Sequence, residues 1–452
     1  MDITTRDESA VVGLTGTADT ATSAPPCPLT FDTVTVLSDE FPCTRDDFPK
    51  NIQLSRDGSF LLAAYELPRI EVFAVHSAAL EKFKYYQPSV SSSSSSSSPK
   101  PDSSLMTTVT GFYPGDNVYD IDWYPFVNSQ DPTSQCFVTS SRDKPVQLFG
   151  LNDGLRCNYC IVNHLDELAS ATCVGFNLTG DKIFCGSTRM LTSFDVDVPG
   201  RSGSSIATSE TKRDPMGQRG VMSCIDFNPD QSQTFAVGTY ANSVAIYTES
   251  DLECVLELKD LSFGVSHVKW SPCGNYLWVG GRQSNKLACW DVRSSRSEVG
   301  TVLRSLRSNQ KMSFDIDPWG KFLATGSQDG ELLIYDTATF ELKSSSTSIT
   351  TTHRVDCLNS VQFHPYSAML FTAAGQRTFP DFDSSSDEGS EDSEACAGNK
   401  RKMDDVVEQQ LHRGSVETTF TSIPIAQTKG VPVPSSPSLQ VWAVGFNPIL
   451  LS

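Results

Sequence analysis

The sequence predicts an all-β chain folded as one seven-bladed β-propeller, and three observations carry that prediction. First, a three-strand pattern recurs along the chain. Its anchor, the large apolar residue before each first turn, is Leu54, Trp123, Phe176, Phe227, Trp270, Ile316 and Phe363. Second, these anchors stand 69, 53, 51, 43, 46 and 47 residues apart, near the roughly 40 to 45 residues of a four-stranded blade. Third, a strand missing where the last copy needs it reappears near the end of the sequence. The length of 452 residues would otherwise suggest about three domains of roughly 150 residues.

In the clearest copy, Val265-Ser-His-Val-Lys-Trp270 alternates as a strand and Ser-Pro-Cys-Gly274 turns it. Tyr276-Leu-Trp-Val279 forms an apolar run, Gly280-Gly281-Arg282 turns again, and Leu287-Ala-Cys-Trp290-Asp291 closes the unit. The same frame fits 51–74, 118–151, 171–196, 222–248, 311–337 and 358–374. Trp290-Asp291 is a complete Trp-Asp ending, and Tyr335-Asp336 and Phe194-Asp195 approach it, so the repeat is of the WD40 type and divergent. After Ala374 the third strand is absent, but Leu439-Gln-Val-Trp442-Ala-Val444 matches Leu287-Ala-Cys-Trp290-Asp-Val292 position for position. The outermost strand of that blade is then expected from Phe31–Leu37, which alternates as a strand should. Closing the ring this way removes an exposed sheet edge.

Two low-complexity segments interrupt the pattern. Ser91 to Ser98 is pure serine, and the segment from about Asp383 to Pro437 is acidic, then Pro- and Ser-rich; neither has apolar surface to offset its ordering entropy. The expected organisation is a disordered acidic N-terminus over 1–28, a propeller over 29–382 and 438–452 with a serine-rich loop at 88–104, and a disordered insertion at 383–437. Net charge is −19. Residues 1–50 carry −6 of it and residues 381–408 carry −7, so the acidic total describes the interruptions more than the ring. Lys400-Arg401-Lys402 has the composition of a nuclear localisation signal and equally of a solvated charge run.

The start has neither the basic flank nor the apolar stretch of a signal peptide, and nowhere do about 18 apolar residues run together. No membrane partner is expected. The 13 cysteines are scattered singly through apolar stretches such as Cys136, Cys173, Cys185, Cys224 and Cys289, as reduced thiols used as small hydrophobes in the cytosol or nucleus. Catalytic motifs fail on inspection. Gly175 to Lys182 imitates a phosphate loop but places Asp181 where the chemistry needs a cation and hydroxyl. Cys157 and Cys160 have metal-like spacing without a second pair, and no nucleophile elbow or metalloprotease helix is present. The chain is expected to be non-enzymatic, with no cofactor and no metal.

The informative residues lie in the turns between second and third strands. Arg142, Arg189, Arg282 and Arg377 occupy four of them, and the loops leading into the first strands add Arg219, Lys311 and Arg354 on the same face. A basic face on an acidic ring suits a local anionic ligand such as an RNA loop. Tyr240 and Phe379 offer rings for unpaired bases. The plain alternative is that turn arginines pair with neighbours such as Asp143. Asn163 and His164 sit in a polar loop before the third blade and either contact the ligand or brace the blade below. Trp270, Trp290, Asp315 and Asp336 read as structural, and Arg293 as a structural ion pair.

Five stretches then carry a family resemblance: Asn163-His-Leu-Asp-Glu-Leu168, Phe184-Cys-Gly186, Ile225-Asp-Phe-Asn-Pro229, Asn309-Gln-Lys311 with Phe314-Asp-Ile-Asp-Pro318, and Gly375-Gln-Arg-Thr-Phe-Pro380 before an acidic tail. Together they resemble the telomerase Cajal body protein 1 family over about Phe41 to Pro380 and the final strand. The resemblance implies a scaffold that recognises the CAB-box loop of small Cajal body RNAs of the box H/ACA class, and of telomerase RNA where it carries that element, and directs these ribonucleoproteins to Cajal bodies. It implies telomerase, coilin and survival-of-motor-neuron protein as partners, the cytosolic chaperonin for folding, and a nuclear Cajal-body location with a cytoplasmic pool. By this reading Arg142, Arg189, Arg282, Lys311 and Arg377, with Asn163, His164, Tyr240 and Gln376, form the RNA site. Lys311 stands where an arginine is common in the family, and the serine tract is this chain's own. The competing reading is a protein-only WD-repeat adaptor, a substrate receptor or chromatin reader, in which the same arginines hold an acidic peptide.

Overall fold

The computed structural model describes residues 29–42, 47–77, 105–163, 165–209, 217–294, 297–345, 356–377 and 438–448. The expected N-terminal segment 1–28, serine-rich loop 88–104 and insertion 383–437 lie outside them, as do His164, Arg354 and Phe379. The described residues are built from antiparallel four-stranded sheets and one short ribbon, a WD40 β-propeller.

Six blades are each made of four consecutive strands. The fifth is representative: Val265–Trp270, Tyr276–Gly281, Lys286–Asp291 and Glu298–Leu303, with Trp270 opposite Leu277 and Leu277 opposite Trp290. The repeat read from the sequence counts seven units, the last without its own third strand, and six of them are such consecutive blades in the structure. Its seventh copy supplies only two consecutive strands, Leu358–Phe363 and Met369–Ala374. The sheet is completed by Ser438–Pro448 and then Leu29–Pro42, with Trp442 set between Leu370 and Val36. Its buried faces pack on both sides: Leu358, Val361 and Leu370 join Phe322 and Ile334 of the sixth blade. Met369, Phe371, Leu439 and Val441 join Leu61 and Phe73 of the first.

The polar loop before the third blade is also more ordered than a plain loop. Ile161–Val162 pairs with Leu168–Ala169 as a two-stranded ribbon. The imitation phosphate loop is a blade turn, with Gly180 at φ +71°. Cys136, Cys173, Cys185, Cys224 and Cys289 are buried free thiols, and burial pushes them up, Cys224 to about 11, which keeps them protonated and inert. Trp270 is core, and Arg293 forms its ion pair with Asp291 at 2.8 Å.

The innermost strand of each blade is a sheet edge, so its outward N–H groups need partners from elsewhere. At four junctions they come from the residue just before the anchor on the preceding blade. Asp122 accepts the Phe176 N–H at 2.7 Å, Asp226 the Trp270 N–H at 2.7 Å and Asp315 the Phe363 N–H at 2.9 Å. Gln362 accepts the Leu54 N–H at 2.5 Å, and Gln53 donates to Asp122 at 2.6 Å. In the fifth blade the position is Lys269, whose ammonium lies 3.5 Å from Asp315. Alternating side chains put these groups in the central channel, a polar cavity of about 300 Å³. Burial raises the Asp122 carboxyl to about 6, against the stabilising bond from Phe176.

His364 joins the composite sheet to the first blade. Its Nδ1 accepts the N–H groups of Tyr366 and Ser367, and Nε2 donates to the Gly58 carbonyl at 3.1 Å. Gly58 has φ +72°, and a Cβ there would sit 2.3 Å from His364 Nε2, so glycine is required twice over.

Two predictions follow from these contacts. Replacing Asp226 by Ala leaves the Trp270 N–H without an acceptor and costs about 1–3 kcal/mol in chemical denaturation; Asp226→Asn, which keeps an acceptor, recovers at least half. Equal losses in the two variants would rule out the capture of that N–H. His364 is held neutral by burial, which lowers it from 6.5 to about 4. Its contribution is complete above pH 6.5 and is lost as pH falls through about 4, because the unfolded chain takes up the proton first. Between pH 7 and 5 stability is expected to drop by about 2 kcal/mol more in the native chain than in His364→Gln; matching pH slopes would count against it.

Candidate functional site

The turns between second and third strands gather around one mouth of the channel. There Lys50, Asn51, Glu66, Tyr119, Asp120, Tyr240, Gln310, Lys311, Gln328, Gln376 and Arg377 line a cavity of about 630 Å³. Four residues proposed from sequence, Lys311, Tyr240, Gln376 and Arg377, therefore share one site.

Arg282 reaches it through Tyr240. Its guanidinium lies over the Tyr240 ring, 4.3 Å from the centroid, a cation–π contact between adjacent blades. Gly264 makes room: a Cβ there would stand 2.9 Å from the Tyr240 carbonyl and 3.3 Å from Arg282 Nε. At Tyr119 burial pushes the hydroxyl up while the Arg142 charge pulls it down. Arg142 also pairs with Asp143 at 3.4 Å, but its side chain remains half exposed.

Lys311 departs from its expected role. Its Nζ lies 3.4 Å from Asp120 and donates to the Ser223 carbonyl at 3.3 Å, so from the sixth blade it reaches the second and the fourth. Burial acts to lower its basicity, and the Asp120 carboxylate outweighs that, holding it above the ordinary lysine range. Asp120 is raised by its own burial, with Lys311 opposing. This lysine is a strut across the channel. Arg377 is likewise matched, 2.5 Å from Glu66, and Glu66 also lies 3.9 Å from Lys50.

Asn163 and Arg189 do not line the cavity. Asn163 braces its own loop: its Oδ1 accepts the N–H groups of Leu165 and Glu167, and its Nδ2 donates to Glu167. Asp166 in that loop pairs with Arg201 at 2.9 Å. Arg189 sits at φ +58°, held by its N–H to Gly220 and by the Thr208 N–H to its carbonyl. Among the described residues its Nε is buried without a hydrogen-bond partner. Arg219 is exposed.

The residues that sequence reasoning missed are Lys50, Asn51, Glu66, Tyr119, Gln310 and Gln328. Gln310 stands inside a quoted motif, and Gln328 and Glu66 occupy the same turn position as the arginines. A search of that position for amides and carboxylates as well as cations would have found them.

Residues 300–336 match the WD domain, G-beta repeat family. The chain is 35% identical over 289 residues to the Bos taurus protein named Telomerase Cajal body protein 1, covering 64% of this chain and 53% of that one. Against the Homo sapiens protein of that name it is 35% identical over 288 residues, 63% of this chain and 52% of that one. A Schizosaccharomyces pombe protein named Guanine nucleotide-binding protein negative regulator 1 is 32% identical over 225 residues, covering 48% of this chain and 56% of its own. The chain thus spans about half the length of the curated relatives it matches. The ordered motifs, the propeller and these alignments agree: the chain is a WD40-propeller homologue of the proteins named Telomerase Cajal body protein 1 in several mammals.

Proposed function

We propose that this chain is a non-enzymatic RNA-binding scaffold, a ring closed into seven blades by its composite sheet. It recognises the CAB-box loop of small Cajal body RNAs, and of telomerase RNA that carries the element, and directs these particles to Cajal bodies in the nucleus. Coilin, survival-of-motor-neuron protein and the cytosolic chaperonin are the protein partners this reading brings with it. The observation that carries it is the stacking of Arg282 on Tyr240, 4.3 Å from the ring centroid, beside one polar cavity at the channel mouth that Tyr119 also lines. Cations for phosphates beside flat rings for unstacked bases are what a single-stranded loop requires.

A protein-only adaptor is the second reading, and one observation favours it: Arg142 and Arg377 already pair with the carboxylates of Asp143 and Glu66, groups that an acidic peptide would offer. Digestion with RNase separates the two. Partners that co-purify undiminished after digestion, with no small RNA enriched beforehand, would establish the adaptor.

For the RNA reading, Arg282→Glu combined with Arg377→Glu is expected to lower crosslinked recovery of box H/ACA small RNAs at least tenfold with the thermal midpoint unchanged. Full recovery from the folded double variant would move the site elsewhere. Arg282→Ala alone is expected to flatten the dependence of log affinity on log salt by about 0.7 if it touches one phosphate of a single strand. An unaltered slope would show that it makes no phosphate contact.

A further inference from the structure

The cavity at the channel mouth is poorly suited to a phosphate, although three cations line it. Lys50 and Arg377 share the Glu66 carboxylate and Lys311 lies against Asp120. An anion placed among them would also approach the Glu66 and Asp120 carboxylates. In a half-enclosed site that repulsion is weakly screened.

The groups left over are neutral. Tyr119 and Tyr240 provide rings from the second and fourth blades, and Asn51, Gln328 and Gln376 provide amides. Two of the amides have their oxygens occupied. Gln328 Oε1 accepts the Arg307 N–H at 2.7 Å, and Asn51 Oδ1 accepts from Ser360 at 3.4 Å. Each therefore has NH₂ donors left to offer. The volume of about 630 Å³ lies within the ~300–1,000 Å³ of pockets that engulf a small ligand.

We infer that this cavity receives one unstacked base of the bound RNA, a guanine whose N7 and O6 acceptors meet the Asn51 and Gln328 donors. Its ring stacks on Tyr240, which Arg282 backs from the neighbouring blade. Guanine offers two adjacent acceptors on that edge, where adenine offers one acceptor and one donor. The phosphates on either side fall to Arg142, Arg189 and Arg282 outside the cavity. The inference rests on the RNA-binding reading and divides the labour within it: the inner cations position side chains, and the outer arginines hold the backbone.

The test uses the full chain and a synthetic hairpin RNA with a CAB-box loop, followed by fluorescence anisotropy. Each loop nucleotide in turn is made abasic, and each loop guanine is replaced by 7-deazaguanine. One abasic position is expected to weaken binding by at least about tenfold, with part of that loss reproduced by 7-deazaguanine at the same place. In Tyr240→Leu the intact RNA should bind as weakly as the abasic RNA binds the native chain, and the abasic change should add nothing further. Gln376→Ala, at the exposed lip, is a second variant should Tyr240→Leu not fold, and it should blunt the same position only. If RNA binds but every abasic effect adds in full to every cavity variant, the cavity holds no base and the RNA reading survives. If the native chain binds no hairpin, both fall.

Discussion

Every blade of this ring begins with a strand that has no neighbour on its inner side, and an unpaired strand edge is the least tolerable surface a β-protein can leave. The solution here is repeated with small changes around the channel. At four junctions a side chain one residue before the anchor captures the anchor N–H of the next blade, as Asp122, Asp226, Asp315 and Gln362 do. Because each capture crosses between blades, the angle between them is set by the reach of a carboxylate or amide. That angle decides which turn residues converge at the mouth.

The same constraint explains the electrostatics of the channel. Carboxylates placed to accept backbone bonds are taken out of water, and burial raises Asp120, Asp122 and Asp226. Lys269 and Lys311 offset that cost by standing 3.5 and 3.4 Å from Asp315 and Asp120. Lys311 belongs to this internal system and the flanking arginines do not, which separates the basic residues of one face into two populations with different work.

Much of the architecture was legible because it is written at fixed spacing. The anchors Trp123, Phe176, Trp270 and Phe363 were visible as a repeat, and the match of Leu439–Val444 to Leu287–Val292 located a strand that pairs with Met369–Ala374. The candidate site was legible only in part. Tyr240 and Arg282 could each be named, but their stacking depends on the angle between two blades. The pairing of Lys311 with Asp120 spans 191 residues of sequence, and no local pattern encodes which turn cation meets which carboxylate. Asn163 left two readings open for a related reason: its loop satisfies its own backbone, and polarity alone does not distinguish a self-capped loop from a ligand contact.

The composite sheet has a further consequence. Ser438–Pro448 lies between Leu29–Pro42 on one side and Met369–Ala374 on the other, so a single strand carries two ladders of hydrogen bonds and supplies Leu439 and Val441 to the core. Such a strand is a removable keystone. A chain lacking it would expose the edge of Met369–Ala374 and leave Leu29–Pro42 without its sheet partner, and a short peptide of the same sequence, added in trans, would fit between them by strand addition. The ring can thus be divided into a large fragment and a small one whose reunion reports assembly of the whole.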